Sequence, residues 1–598
     1  MLKHVLQRCF PAFAVFLAAA LLLACTQLRS PEPEQYFSRS QPPVPRELRW
    51  SNGKLPKTVD PALVSTAPDI DVSRALFEGL TDLDPVTLDP IPAIAESWSP
   101  SDDFRTWTFR LREEAKWSNG TAVTADDFVR SWRRVAELGQ KAPHGDLLAN
   151  IVGFSKASAP DPTEAADESG LLDVTVDETA TPAPEATAAP EESPAPTPSG
   201  TPTTAGKGVK PLLGVLAVDE RTVQVTLIRS DKDLPKLVAH PVFRPVPAKQ
   251  SGLDLSKNAE QIATSGPFRI VSAGGDGVTL DRQQNYWDTE SVKLDRVRFV
   301  PAASPEKALE GYRNGEVDVV TNSAFSNAAV KLLEPYDDFR RASFAALNFY
   351  ELNTKKVPFT DRAVREALAI AIEREKLTEG ELGGATRPAY GFTPFSPGGT
   401  KLLVSDAARA RDLLDSAGYP NGEGFPVVRL LINRNETQQR IARAVARMWK
   451  TNLNIETEIV VMEPDQLAAA QQAGDYDAIR KGVVMPTPSE TANFIAMFHG
   501  DAAAHDDDTE SAAGSVRSEF SAPSPTPAGD NADPLTGASL ETERFFTEES
   551  ALFELPGIPL YFPTSYSLVK PYVKGFDSNS LDAPLLKRVE IDTNWKTK

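Results

Sequence analysis

Residues Thr106 to Arg133 read TWTFRLREEAKWSNGTAVTADDFVRSWR. Asn119-Gly120 near the middle is a tight-turn pair, because these two residues accept the backbone angles that such a turn imposes. Thr124 to Asp127 then sets a hydroxyl and a carboxylate three residues apart, the arrangement that caps the start of a helix. The tryptophans of the stretch are expected to fill core.

The same punctuation recurs outward from this block. Ser304-Pro305-Glu306 supplies an N-cap, a proline at the first helical position and an acid in the first turn, and Asn314-Gly315 stops that helix. After Thr360-Asp361, residues Val364, Ala367, Leu368, Ala371 and Ile372 form one apolar stripe at helical spacing. Ser405 is expected to begin another helix, ended by Gly418 and Pro420. A helix around Ile441 to Trp449 leads into Ile455, Thr457, Ile459 and Val461, whose period of two marks a strand. Mixed α/β architecture follows.

The N-terminus reads as an address. Lys3 and Arg8 precede an apolar run from Phe10 to Leu23 that is too short to span a membrane and ends in Leu22-Leu23-Ala24-Cys25. Residues 1–24 are expected to be a secretory leader, with Cys25 lipidated and residues 25–46 a proline-punctuated tether to the membrane. The other cysteine, Cys9, lies inside the leader, so the mature body has no disulfide, zinc thiolate or cysteine nucleophile to offer. The length of 598 residues exceeds what one core supports, so at least two lobes are expected, and a hydrophobic share of 41% suits a packed globule.

Net charge is −20, but it is concentrated: residues 157–206 hold ten acids and no Lys or Arg, and residues 501–540 hold eight acids and only Arg517. Both stretches are rich in Pro, Ala, Ser and Thr, too poor in apolar residues to offset the entropy of ordering, and read as acidic appendages. Acidity therefore says little about the ligand, and no basic stripe points to nucleic acid.

Catalytic motifs are lacking. There is no His-Glu-x-x-His, Gly-x-Ser-x-Gly, Walker loop or dinucleotide fingerprint. Ser51-Asn-Gly-Lys54 and Ser304-Pro-Glu-Lys307 satisfy Ser-x-x-Lys, a pattern short enough for chance, and the second is better explained as a helix start. The histidines His144, His240, His499 and His505 show no metal-ligand spacing, and His505 sits in a run of adjacent acids that reads as solvated. No enzyme activity, cofactor or metal is expected.

The block from Thr106 to Arg133 belongs to an ordered string of segments. Thr58-Val59-Asp60-Pro61, the run from Ser73 to Leu80 (SRALFEGL) and Ala95-Glu96-Ser97-Trp98 precede it; Ser265-Gly266-Pro267-Phe268, Asn285-Tyr286-Trp287, Tyr350 to Thr354 (YELNT), Ala389 to Pro394 (AYGFTP) and Leu568-Val569-Lys570-Pro571 follow. Together they resemble the extracytoplasmic oligopeptide-binding proteins of ABC importers, bacterial solute-binding protein family 5. The resemblance implies a two-lobed periplasmic-binding-protein-like α/β fold with an extra third domain and a hinge between the lobes. It implies domain I from 47–77, 248–345 and 564–598, domain II from 78–247, and domain III from 346–563, the acidic stretches being insertions in II and III. In this family an extended peptide pairs its backbone with strand edges while its amino terminus is buried against an aspartate.

Carried onto this chain, the resemblance puts Ser65-Thr66-Ala67 at the backbone-pairing loop, so Ser65 and Ala67 are candidates. Pro143-His144 stands at a Pro-Tyr whose tyrosine touches ligand. Glu351 and Arg480 stand where the family keeps a glutamate and an arginine. After Arg480, however, the family's Gly-Trp-x-x-Asp reads Gly482-Val483-Val484-Met485-Pro486 here, and a further family tryptophan aligns with Pro464. By this resemblance the amino-anchoring aspartate is replaced by Pro486, which puts a peptide held by its amino terminus in doubt, and Glu490 is a nearby carboxylate that could substitute after a modest loop shift.

The expected function is that of a monomeric, lipid-anchored extracytoplasmic receptor that binds an oligopeptide or other small solute and delivers it to ABC permease subunits. Two alternatives remain at this point: a receptor for a non-peptide ligand, and a surface lipoprotein that keeps the scaffold without ligand capture.

Overall fold

A computed structural model describes residues 35–37, 41–43, 46–154, 213–248, 253, 255, 259–323, 325–395, 403–499 and 546–596. The leader with Cys25, the two acidic stretches and His505 lie outside the described residues. The fold is mixed α/β, with two lobes sharing one twelve-stranded sheet and an additional domain carrying a four-stranded sheet of its own.

The strand Gly557–Val569 joins the lobes. Its first half pairs antiparallel with Ala346–Leu352, in the second lobe, and with Thr386–Pro388. Its second half pairs with Phe339–Ser343 and, at Leu568 and Val569, with Val320 and Val319 in the first lobe. From there the sheet continues through Glu47–Ser51, Arg296–Phe299, Gly277–Arg282 and Phe268–Gly274. In the other direction it runs through Ala478–Val484, Val428–Asn433 and Thr457–Met462. One core gathers Trp50, Phe77, Phe109, Trp132 and Phe268 from the first lobe and the four-stranded domain, whereas Leu347, Leu368, Leu430, Trp449 and Ile558 belong to a separate core in the second lobe.

Local capping rules account for many element boundaries. Ser304 Oγ accepts from the Lys307 N–H at 3.3 Å, the helix spans Pro305–Asn314, and Gly315 closes it at φ 78°. Thr124 and Asp127 form the capping box of Ala125–Leu138, with Asp127 Oδ2 accepting from the Thr124 N–H at 3.0 Å. Trp50, Trp107, Trp117, Trp132 and Trp449 are buried, while Trp98, Trp287 and Trp595 are only partly so.

Four boundaries differ from expectation. Asp406, not Ser405, caps Ala407–Ser416, its carboxylate accepting from the Arg409 N–H at 3.0 Å, a stronger acceptor for the positive end of the helix than a hydroxyl. The helix after Asp361 spans Arg362–Ile370, so Ala371 and Ile372, although fully buried, lie beyond it. There the buried Arg374 guanidinium donates to the carbonyl of Ala369, which the helix leaves open, and to that of Ile372 beyond its end. Ile455 is buried in the turn between Glu436–Leu453 and Thr457–Met462, after Asn454 has reversed the chain at φ 57°. The expected tether also has an anchored part: the Phe37 N–H donates to Asp338 Oδ1 at 3.0 Å, its ring meets Tyr336, and Tyr36 meets Trp595 edge-on at 5.9 Å. Two aromatics among prolines were the signal for that contact.

Candidate ligand-binding site

The loop before the helix Ala67–Leu76 is held from below. Asp60, nearly fully buried, takes a two-pronged ion pair from Arg134 in the four-stranded domain and accepts from the Ala62 N–H at 3.1 Å. Asp69 accepts from the Lys57 N–H at 2.7 Å, and Asp71 accepts from Asn52 at 3.1 Å. Between these fixed points Ser65 and Thr66 are exposed, and Thr66 is extended at φ −124° and ψ 158°. The Thr66 carbonyl accepts from the Ile70 N–H at 2.9 Å, and Ala67 opens the helix behind it.

His144 sits before the short turn Gly145–Leu148 and meets His240 edge-on, with ring centroids 4.7 Å apart. His240 is buried and accepts from the Val242 N–H through Nδ1 at 3.2 Å. Burial pulls the His144 imidazole below its ordinary pKa; burial, and then His144 itself, pull His240 further down, so both rings are neutral at pH 7. His144 Nε2 is buried without a hydrogen-bond partner among the described residues.

Glu351 and Arg480 occupy neighbouring strands but opposite faces of the sheet. Tyr350 stands directly across from Arg480, whereas Glu351 stands across from Ile479. On its face Glu351 pairs with Lys481 at 2.8 Å and accepts from the Tyr476 hydroxyl at 3.1 Å. On the other face Arg480 donates to Asn348 Oδ1 at 2.6 Å and has no carboxylate partner among the described residues; burial lowers its pKa. The two residues thus share no site.

Residues 486–492 dock onto the four-stranded domain. The Glu490 N–H donates to Asp233 Oδ2 at 3.2 Å, Thr487 Oγ1 donates to the Lys236 carbonyl at 3.4 Å, and Thr491 hydrogen-bonds Asp231. The Glu490 carboxylate itself accepts from the Glu548 N–H. Burial, then Asp233 and Glu548, push the Glu490 carboxyl up, and burial pushes Asp231 up to about 7. Sequence reasoning found Glu490 but not Asp231, Asp233 or Lys481, because nothing in their local sequence announces partners far along the chain.

A groove of about 510 Å³ opens where the lobes and the four-stranded domain meet. Arg341, Ser343, Thr564 and Ser580 line it from the first lobe, Thr386 and Arg387 from the second, and the turn at Val86 and Leu88 from the four-stranded domain. Of the segments singled out from the sequence it takes only Pro394, and Ser65, Ala67, His144, Glu351, Arg480 and Glu490 are not among its lining.

The sequence pattern of bacterial extracellular solute-binding proteins, family 5, middle region, matches residues 89–505. The chain belongs to this family. Among its relatives in the family, the periplasmic oligopeptide-binding protein OppA of Salmonella typhimurium is 28% identical over 565 residues, covering 90% of this chain and 92% of its own. The periplasmic murein peptide-binding protein MppA of Escherichia coli is 30% identical over 543 residues, covering 88% and 89%. The unliganded open form of the murein tripeptide binding protein MppA superposes with a TM-score of 0.68 at 25% identity, over 93% of this chain and 99% of that one.

Proposed function

We propose that this protein is a lipid-anchored extracytoplasmic receptor that captures an oligopeptide or peptide-like solute between its two lobes and hands it to an ABC importer, with no reaction of its own. The observation that carries the reading is the groove lined from both lobes beside the shared strand Gly557–Val569, a place where bending of one strand would close one lobe on the other. Family membership and the peptide-binding relatives that match nearly end to end support it. The likeness to an unliganded open form supports an arrangement that awaits ligand. The exposed, extended backbone at Ser65 and Thr66 suits pairing with a peptide main chain, and Leu22-Leu23-Ala24-Cys25 supplies the lipid site.

Pro486, Val483 and Pro464 favour a second reading, a non-peptide ligand or a scaffold without capture, since a buried ammonium needs a carboxylate that Pro486 does not provide. Mass spectrometry of small molecules released by denaturing the purified mature protein tests the choice. Short peptides are expected; a single non-peptide compound would establish the second reading in its place.

A further inference from the structure

The groove between the lobes carries charge of one sign. Arg341 and Arg387 line it together with hydroxyl and amide side chains, and no acidic residue is among its lining, in a chain whose net charge is −20. Arg387 Nη1 donates to Ser343 Oγ at 2.6 Å, and Arg387 has no carboxylate partner among the described residues. Arg341 is held in place by Glu334 at 2.7 Å and by the Gly384 carbonyl at 2.8 Å. The guanidinium donors of Arg387 that Ser343 leaves open match the geometry of a carboxylate.

We propose that this groove selects acidic solutes, Arg387 pairing with a carboxylate on the ligand's side chain. The proposal rests on the receptor reading and narrows it to a ligand class. A main chain held through its backbone amides leaves side chains to set preference, and a groove with one guanidinium group not paired to a carboxylate rewards an acidic side chain over its amide. Because Arg387 is exposed, the reward is smaller than that of a fully buried pair.

Calorimetric titration of Ala-Glu-Ala, Ala-Gln-Ala and glutarate into the mature protein and into Arg387→Gln and Arg387→Lys tests this. The wild type is expected to bind Ala-Glu-Ala about tenfold more tightly than Ala-Gln-Ala. The ratio should fall to about one in Arg387→Gln and persist in part in Arg387→Lys, with circular dichroism melts verifying that both variants fold. Equal affinity of the wild type for the two peptides overturns the proposal and leaves the peptide reading standing. Glutarate binding that depends on Arg387, with neither peptide bound, upholds the anionic groove and overturns the peptide reading. Binding of none of the three overturns both.

Discussion

The backbone N–H of Glu490 donates to Asp233 Oδ2 at 3.2 Å, and that bond crosses from the second lobe to the four-stranded domain. With the Thr491 to Asp231 bond beside it, the segment from Thr487 to Thr491 is engaged in contact with the four-stranded domain. The surroundings are acidic: Asp231, Asp233, Glu490 and Glu548 gather around Lys236, with Arg229 stacked on Phe546 close by.

This contact predicts a pH dependence of stability. Asp231 is pushed up to about 7 by burial, so its contribution is fully present below the ordinary carboxylate range and is lost as pH rises through about 7. Asp71, at about 7, and Asp582, at about 6, act with the same sign in the first lobe. The melting temperature should therefore fall between pH 5 and pH 8. Asp231→Asn keeps the hydrogen-bonding shape without the charge, and should reduce the accompanying loss of unfolding free energy by an amount on the order of 2 kcal/mol. An unchanged slope in the variant would place the titration elsewhere.

Removing Arg134 should be costly in a way that removing both partners is not. Asp60 would be left as a buried, unpaired carboxylate, so Arg134→Ala is expected to destabilise by about 2–4 kcal/mol, and adding Asp60→Asn should recover part of it. Chemical denaturation of the three variants measures this. Additive losses in the double variant would show that the pair is not coupled.

How much of this was legible beforehand follows from distance along the chain. Ser304, Thr124 and Asp361 revealed their helices because a cap and its amide are two or three residues apart, and the apolar stripe from Val364 needs only periodicity. Asp60 was quoted in a motif, but its partner lies 74 residues on, so its role as the brace of the Ser65 loop needed the fold. Glu351 and Arg480 are separated by strand pleating, which sends their side chains to opposite faces, a relationship that only the strand register reveals. The groove at Arg341 and Arg387 is assembled from segments of all three structural units, and no short stretch of sequence contains it.

The lipid anchor is tested by Cys25→Ser. The variant should be exported yet partition into the aqueous phase of a detergent separation, while the wild type follows the detergent. A variant that stays with the detergent would mean a different anchor.

The most direct test of the central claim, that this receptor captures a peptide-like ligand without an aspartate for its amino terminus, is calorimetric titration of one peptide with a free and with an acetylated amino terminus. If Pro486 stands at the family's aspartate position, as the resemblance implies, then with the Glu490 carboxylate engaged by the Glu548 N–H both forms should bind with similar affinity, in the wild type and in Glu490→Gln alike. An intact charge-assisted anchor would make acetylation cost roughly ten- to a hundredfold. A preference of that size for the free amine, surviving in Glu490→Gln, would contradict the account.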